Sequence, residues 1–311
     1  MQCIAEEYNV GLIAPLTGDF ARYGEKIADS VNKATPEGFK LLTEDEACTG
    51  RVAITSYNKL SKVDNVKFYL GPWCGSPQLS VAPLFKKNLD IALIGNSAPE
   101  MMHKASGGRM FSTQHSIEAE SRYNAKQMNE RGYKSAVIIF FENDFSRAHE
   151  SGFKEVFKGK IYETFAYNSR DISTLKSIVL RIKHYNPDVI YSPDAYPLMH
   201  GFVRELYNSG LGHKQVWSVY SAQFPDILEV LGEQGNGLIY SHPDIGEDDA
   251  LSYFSNKAAN ILYNEITNCK ADSECVRLNL NQKYDFTENG YLKGDIILKT
   301  IKDKKFVKLE L

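Results

Sequence analysis

The sequence lacks the features that mark several common classes of protein. Its longest apolar run, Ala136 to Phe141, is far shorter than the roughly 20 residues that a membrane-spanning helix needs. The formal net charge is −3, and no tract of lysine and arginine suggests nucleic acid as a partner. Low-complexity segments and linkers rich in proline or glycine are also missing. What remains is an ordinary globular composition, with 43% apolar and 24% charged residues.

The sequence patterns of common catalytic and cofactor sites are missing as well. The chain contains no G-x-S-x-G turn, no phosphate loop, no G-x-G-x-x-G fingerprint and no H-E-x-x-H pair. Asp45, Asp144 and Asp194 each end a predicted strand, but no spacing marks two of them as an acid/base pair. A hydrolase that uses Ser76 or Ser97 with a histidine is the remaining enzyme hypothesis. The sequence favours a binding protein without a cofactor or metal.

Five cysteines give information through their spacing. Cys269 and Cys275 bracket a polar loop, while Cys48 and Cys74 each follow an apolar segment. No C-x-x-C pair and no His/Cys cluster with zinc-ligand spacing occurs. Two disulfides plus a free thiol at Cys3 are the simplest interpretation, and they indicate an oxidising compartment. The alternative is five unrelated reduced cysteines.

Export is therefore predicted, although the chain itself contains no signal peptide. Cys3 lies so close to the first residue that it is also a candidate for lipid attachment. Met1 and Gln2 do not supply the small residues that such a site needs, which favours a plain thiol. We expect a periplasmic or extracellular protein, with a lipid anchor as an open alternative.

Short apolar runs alternate with helical patterns over most of the chain. This alternation, with short loops, is typical of parallel sheets covered by helices on both faces. The pattern runs once before about residue 115 and then starts again, so we predict an α/β fold of two similar Rossmann-like lobes. The predicted strands are Tyr8–Ala14, Phe39–Thr43, Val66–Leu70, Asp90–Gly95, Ser135–Phe141, Lys160–Ala166, Asp188–Tyr191, Gln215–Tyr220 and Gly237–Tyr240.

Three strand-to-helix turns of the first lobe carry unusual residues. Ligands bind open parallel sheets at the carboxyl ends of the strands, where helix N-termini present free N–H groups. The turn over 14–24 is long and aromatic, Ser76 suits an N-cap before Pro77, and Ser97 with Glu100 fits a capping box. Two neighbouring helix starts of this kind would hold a carboxylate without lysine or arginine. The alternative is that these serines are ordinary caps.

At these turns the sequence resembles the leucine/isoleucine/valine-binding family of periplasmic proteins, which are type I substrate-binding proteins of ABC transporters. The likeness runs from about residue 8 to residue 243. It is carried by Val10–Gly18, Tyr23-Gly24, Leu70–Pro72, Ser97–Glu100, Phe111–Gln114, Glu142–Phe145 and Asn186–Tyr191.

The resemblance implies two lobes that close around a ligand in a monomeric protein, with an ABC transporter permease as partner. The chain would cross between the lobes near residues 114, 242 and 285. The N-terminal lobe would then hold 1–114 and 243–284, and the C-terminal lobe 115–242 and 285–311. The resemblance also implies a disulfide between Cys48 and Cys74.

The family's binding positions fall on residues of both lobes. Gly75, Ser76, Gly95 and Ser97 match the turns that bind a carboxylate. We expect the walls of the site to be formed by Tyr23, Trp73, Phe145 and Tyr196.

One position departs from the family. Amino-acid-binding members have an acidic residue for the ligand's ammonium where this chain has Ser221. Asp194 is predicted to take over that role, with Asp19 or Asp144 as substitutes, although Asp194 would serve equally as a helix N-cap before Pro197. The predicted ligand is a small carboxylate, an amino acid first. The alternatives are an amine-free (for example aromatic) carboxylate or amide, and a sensor domain of the same fold.

Overall fold

The computed structural model describes residues 7–168, 172–194, 198–224, 226–246 and 249–310, and it shows alternating strands and helices. The strands are β1 Tyr8–Ala14, β2 Phe39–Asp45, β3 Phe68–Leu70, β4 Ile91–Ile94, β5 Met110–Ser112, β6 Ser135–Phe141, β7 Lys160–Tyr167, β8 Val189–Tyr191, β9 Gln215–Ser218, β10 Ile239–Pro243, β11 Ile296–Lys302 and β12 Lys305–Lys308. The helices are α1 Ala21–Ala34, α2 Gly50–Lys62, α3 Gly75–Asn88, α4 Glu100–Ala105, α5 Ile117–Glu130, α6 Asp144–Val156, α7 Ile172–Tyr185, α8 Leu198–Asn208, α9 Asp226–Leu231, α10 Ala250–Asn268 and α11 Ser273–Lys283. Within the described residues, no helix combines the length and the apolar character that a membrane span requires.

The chain divides into two units and passes between them three times. The described residues of the first unit fall within 7–117 and 245–294, and those of the second within 118–244 and 295–310. The third division comes after residue 294, later than the 285 that the resemblance implies. The reason is that the intervening segment pairs with β5: Ser112 donates to the Gly290 carbonyl at 2.8 Å, and Leu292 donates to the Ser112 carbonyl at 2.8 Å.

The first unit is built on a five-stranded sheet in the order β2-β1-β3-β4-β5, with all neighbours parallel. Every residue of β3 and β4 is buried, as expected for parallel strands that are covered by helices on both faces. Three large rings fill the core beside them. Tyr57 lies 5.2 Å from Tyr69 and 4.9 Å from Phe85, and Tyr69 meets Phe85 at 5.0 Å between ring centroids.

The second unit has a seven-stranded sheet in the order β7-β6-β8-β9-β10-β11-β12. Its strands are parallel from β7 to β10, and β11 and β12 add an antiparallel hairpin. Because successive side chains of a strand point to opposite faces of the sheet, β6 contributes to two apolar clusters. Val137 and Ile139 join one apolar cluster, while Ala136, Ile138 and Phe140 join the other. The predicted α/β fold is confirmed, with one parallel sheet and one mostly parallel sheet.

Both sheets reverse their strand order at one point. In the first sheet the chain starts at β1, adds β2 on one side and β3 on the other; in the second, β6 has the same relation to β7 and β8. Such a reversal opens a crevice outside the carboxyl ends of the two central strands, which is where ligands bind in open α/β sheets. Each unit therefore has one edge that is built to bind a ligand.

Both predicted disulfides are present. Cys48–Cys74, with 5.3 Å between the Cα atoms, connects the turn after β2 to the start of α3. Cys269–Cys275 connects the end of α10 to the first turn of α11. Each cross-link restricts the unfolded chain, and a disulfide typically stabilises a fold by about 2–4 kcal/mol. Cys3, the predicted free thiol, lies outside the described residues.

Candidate functional site

The turn after β1 is held against helix α1 and the end of β2. A Cβ atom at Gly24 would lie 2.1 Å from the Pro15 carbonyl oxygen, so only glycine lets α1 approach this closely. The Asp45 carboxylate accepts the amides of Leu16 at 2.8 Å and Thr17 at 3.3 Å. Burial raises the pKa of Asp45, but the hydrogen bonds that it accepts outweigh burial and hold the pKa below its usual range. The turn is therefore anchored by an ionised carboxylate.

Aromatic side chains gather at the reversal point of the first sheet. The Trp73 ring lies 5.8 Å from Phe20 and 6.5 Å from Tyr23, measured between centroids. Tyr23 is only 2% exposed and Trp73 only 7% exposed, so both rings are buried in the first unit and do not project into solvent. Trp73 and Gly95 line the same small apolar cavity. The predicted residues Tyr23, Trp73 and Gly95 are thus brought together.

Helix α3 begins earlier than its serine suggested. Its N-cap is Cys74, and Gly75 and Ser76 occupy the first two helical positions, so the prediction of Ser76 as the N-cap is wrong. Cys74 has the extended backbone of a cap and is fixed there by its disulfide. A helix has no internal acceptors for the N–H groups of its first turn, and its dipole makes that end positive. The amides of Gly75 and Ser76 and the Ser76 hydroxyl are therefore suited to an anion.

The capping box predicted at α4 does not form. The helix begins at Glu100 and its N-cap is Pro99, so Ser97 is not the cap residue that this pattern requires. The Glu100 carboxylate accepts from the Ser116 hydroxyl at 3.0 Å. Ser97 is buried, at 1% exposed, and its carbonyl accepts from the Gln78 side chain of α3 at 3.5 Å. The structure thus places Ser97 beside α3, although not as its sequence pattern indicated.

In the second unit, Asp194 lies at the reversal point between β6 and β8. Its carboxylate accepts the Phe141 amide at 2.9 Å, the Tyr167 hydroxyl at 2.9 Å and the Ser146 hydroxyl at 3.3 Å. The side chain is 1% exposed, and burial raises the pKa of Asp194 to about 7 against the effect of these donors. Asp194 therefore joins β6, β7 and α6, a structural role that its position at the end of a strand did not reveal.

Two further predicted residues lie beside Asp194. The Ser221 hydroxyl donates to the Asp194 carbonyl at 2.8 Å. Phe145 is half-buried, and its ring meets His149 at 4.5 Å and Tyr220 at 6.4 Å between centroids. Phe145, Asp194 and Ser221 thus form one cluster at the carboxyl edge of the second sheet. Tyr196, the other predicted wall residue, lies outside the described residues.

Three buried polar side chains near Trp73 were missed by the sequence reasoning. Glu46 accepts the amides of Trp73 and Cys74, while Gln78 and Asn96 each donate to the Trp73 carbonyl at 3.0 Å. Glu46 follows Asp45 at a strand end, which was a usable signal, but the side-chain contacts of Gln78 and Asn96 leave no trace in the sequence pattern. These residues hold the turn that leads into α3.

A model of a protein family described as periplasmic binding protein matches residues 7–257. Among curated proteins, the Leu/Ile/Val-binding protein BraC3 of Rhizobium johnstonii is 21% identical over 242 residues, which is 68% of this chain. The chain spans 64% of the length of that relative.

Solved structures resemble the chain over nearly its whole length. A solute-binding protein of an ABC transporter from Rhodopseudomonas palustris, in complex with p-hydroxybenzoic acid, is 19% identical with a TM-score of 0.86, and the match covers 98% of this chain and 96% of that one. The leucine-binding protein LivK of Thermotoga maritima is 18% identical with a TM-score of 0.87, covering 97% and 98%. At these identities the likeness establishes the fold.

Proposed function

The chain belongs to the periplasmic binding protein family, and we propose that it captures a small carboxylate outside the cytoplasm and delivers it to an ABC transporter. The family and its fold are those of solute-binding proteins rather than of enzymes. The two disulfides agree with an oxidising compartment. In this proposal the protein binds its ligand and releases it unchanged.

The start of α3 is the observation that carries the proposal. Gly75 and Ser76 offer two amides and a hydroxyl at the positive end of a 14-residue helix. The aromatic rings of Tyr23 and Trp73 lie at the same reversal point, and buried Ser97 lies beside the helix. Amides, hydroxyls and aromatic rings suit an acid whose remaining part is apolar.

The ligands named for two structural neighbours agree with this chemistry. Leucine and p-hydroxybenzoic acid share a carboxylate and an apolar body, but only leucine carries an ammonium. We propose the shared carboxylate as the group that this chain recognises.

A specific observation favours the amine-free acid over the amino acid. The Asp194 carboxylate, predicted to bind an ammonium, already accepts donors from Phe141, Tyr167 and Ser146. Burial also raises the pKa of Asp194 to about 7, so its carboxylate is less readily ionised and attracts a cation less than an exposed aspartate does. We therefore place an amine-free, aromatic carboxylate first and an amino acid second.

Replacing Ser97 by alanine tests whether this residue belongs to the carboxylate site. Removal of a hydrogen bond to a charged ligand is worth about 1.5–3 kcal/mol, so affinity should fall roughly tenfold or more. The measurement is a calorimetric titration of 4-hydroxybenzoate and of leucine into both proteins.

Ser30→Ala is the matched control. Ser30 is also buried in the first unit, but its hydroxyl donates back to the Lys26 carbonyl within α1. The Ser30→Ala variant should bind with a dissociation constant within about twofold of that of the unaltered protein, because local changes away from a site have small effects. Equal affinity of the Ser97 variant and the Ser30 variant would remove Ser97 from the site.

A further inference from the structure

Glu46 is a buried acid to which neither the sequence motifs nor the proposed carboxylate site assigns a role. It follows β2, its side chain is 0% exposed, and its two oxygens accept the amides of Trp73 at 3.0 Å and Cys74 at 2.8 Å. One carboxylate oxygen and the sulfurs of Cys48 and Cys74 lie within 4.8 Å of one another. Because both sulfurs are in a disulfide, they provide no thiolate, and this group is not a metal site.

The same Trp73 backbone is bound from its other side. Its carbonyl accepts from Gln78 of α3 and from Asn96 after β4, each at 3.0 Å. Gln78 is 0% and Asn96 5% exposed, so these side chains, like Glu46, are fixed by packing. Since Trp73 and Cys74 lead directly into Gly75, the bonds around this peptide set the direction of the first amides of α3.

We propose that Glu46 is a positioning residue that fixes the Trp73–Cys74 backbone, and through it the orientation of the Trp73 ring and of the α3 amides toward a bound carboxylate. The part that concerns the ligand rests on the proposed function, whereas the part that concerns the turn does not. When ionised, the Glu46 carboxylate presents one acceptor oxygen to each of the two adjacent amides. Glutamine in its place would turn an NH₂ group toward one of the N–H donors.

The charge of Glu46 gives this role a measurable signature. Burial raises the pKa of Glu46 to about 8, with a further increase from the nearby Asp45 carboxylate and an opposing effect of the Cys74 and Trp73 amides. Ionisation strengthens the hydrogen bonds that these two amides donate. The surroundings of Trp73 should therefore change as the pH rises from 6 to 9.

Tryptophan emission of the ligand-free protein tests the positioning role. The chain has only two tryptophans, Trp73 and Trp217. We expect an emission change in this pH range that disappears in Trp73→Phe, which assigns it, and also in Glu46→Gln. Asp90→Asn is the matched control. Like Glu46, Asp90 is a buried acid, at 4% exposed, and burial raises its pKa to about 6. Unlike Glu46, it lies before β4 and accepts a hydrogen bond from the Tyr57 hydroxyl. Persistence of the change in Glu46→Gln would overturn the proposal.

Titration with 4-hydroxybenzoate and leucine at pH 9, where the Glu46 carboxylate is largely ionised, tests the link to binding. For whichever acid the unaltered protein binds, Glu46→Gln should weaken binding roughly tenfold, the size of one charge-assisted hydrogen bond. Asp90→Asn should keep the affinity within about twofold even though its melting temperature falls. Equal affinity of the unaltered protein and Glu46→Gln would overturn the link. If the unaltered protein binds neither acid, the proposed function fails, and the emission change still decides the role of Glu46 in the turn.

Discussion

Gly95→Ala should destabilise the first unit strongly. A Cβ atom at this position would lie 2.5 Å from the Ser255 Cα atom and 2.9 Å from the Phe254 carbonyl carbon. These are backbone atoms of α10 and cannot rotate aside, so either the helix or the turn after β4 must shift. Overpacking of this kind costs about 3 kcal/mol, which corresponds to a melting temperature lower by roughly 6–12 °C.

Gly294→Ala provides the comparison, since a Cβ atom there would meet no heavy atom within 4 Å. Its melting temperature should stay within about 2 °C of the unaltered protein, as expected for an exposed substitution. Calorimetric melting of the unaltered protein, Gly95→Ala and Gly294→Ala at one pH measures the difference. If the two alanine variants melt together, α10 does not pack against Gly95 as described.

Raising the pH from 5 to 9 should lower the free energy of unfolding. Burial raises the pKa of Asp90 to about 6, of Asp194 to about 7 and of Glu46 to about 8 in the folded protein. In this range the folded state keeps protons that the unfolded state has lost. Their contribution is therefore fully present below the pKa values of the unfolded acids, near pH 4, and is lost as the pH rises through 6 to 8. Each pKa unit corresponds to about 1.4 kcal/mol, so the loss amounts to several kcal/mol.

Urea unfolding at pH 5, 7 and 9 measures this loss. Starting at pH 5 avoids the opposite effect of acids such as Asp45 and Glu265, whose pKa values are lowered and whose contribution is lost only at lower pH. The double variant Glu46→Gln with Asp194→Asn should show a clearly flatter pH dependence. In Asp194→Asn the new amide can donate to the Tyr167 oxygen, so the variant should fold. Stability that is constant or rises from pH 5 to 9 would contradict the assigned burial of these acids.

The strand periodicity predicted the fold well because buried parallel strands leave a strong local signal. β6 was predicted as Ser135–Phe141 and is observed over the same residues, since its apolar run is bounded by polar residues on both sides. The order of the strands within each sheet, and with it the reversal points, was not part of the prediction. Helix starts were less accurate: Ser76 has the residue type of a cap, but the N-cap of α3 is the disulfide-bonded Cys74.

The site was only partly predictable because hydrogen bonds between distant residues have no sequence period. Asp194 was correctly placed at the edge of a central strand, yet its three donors come from β6, β7 and α6. Glu46 likewise acts on residues 27 and 28 positions along the chain. Strand ends therefore indicate which side chains lie at a binding edge, whereas tertiary contacts decide which of them remain available to a ligand.

A melting screen of acids against their amides tests the central claim most directly. The pairs are 4-hydroxybenzoate with 4-hydroxybenzamide and leucine with leucinamide, and the amine-free analogue of leucine separates the carboxylate from the ammonium. An acid present at about 100 times its dissociation constant should stabilise the protein by about 2.7 kcal/mol, while its amide should give no shift. An amide that shifts the melting temperature as much as its acid, or an ammonium compound that does so without a carboxylate, would contradict recognition of the carboxylate by the first turn of α3.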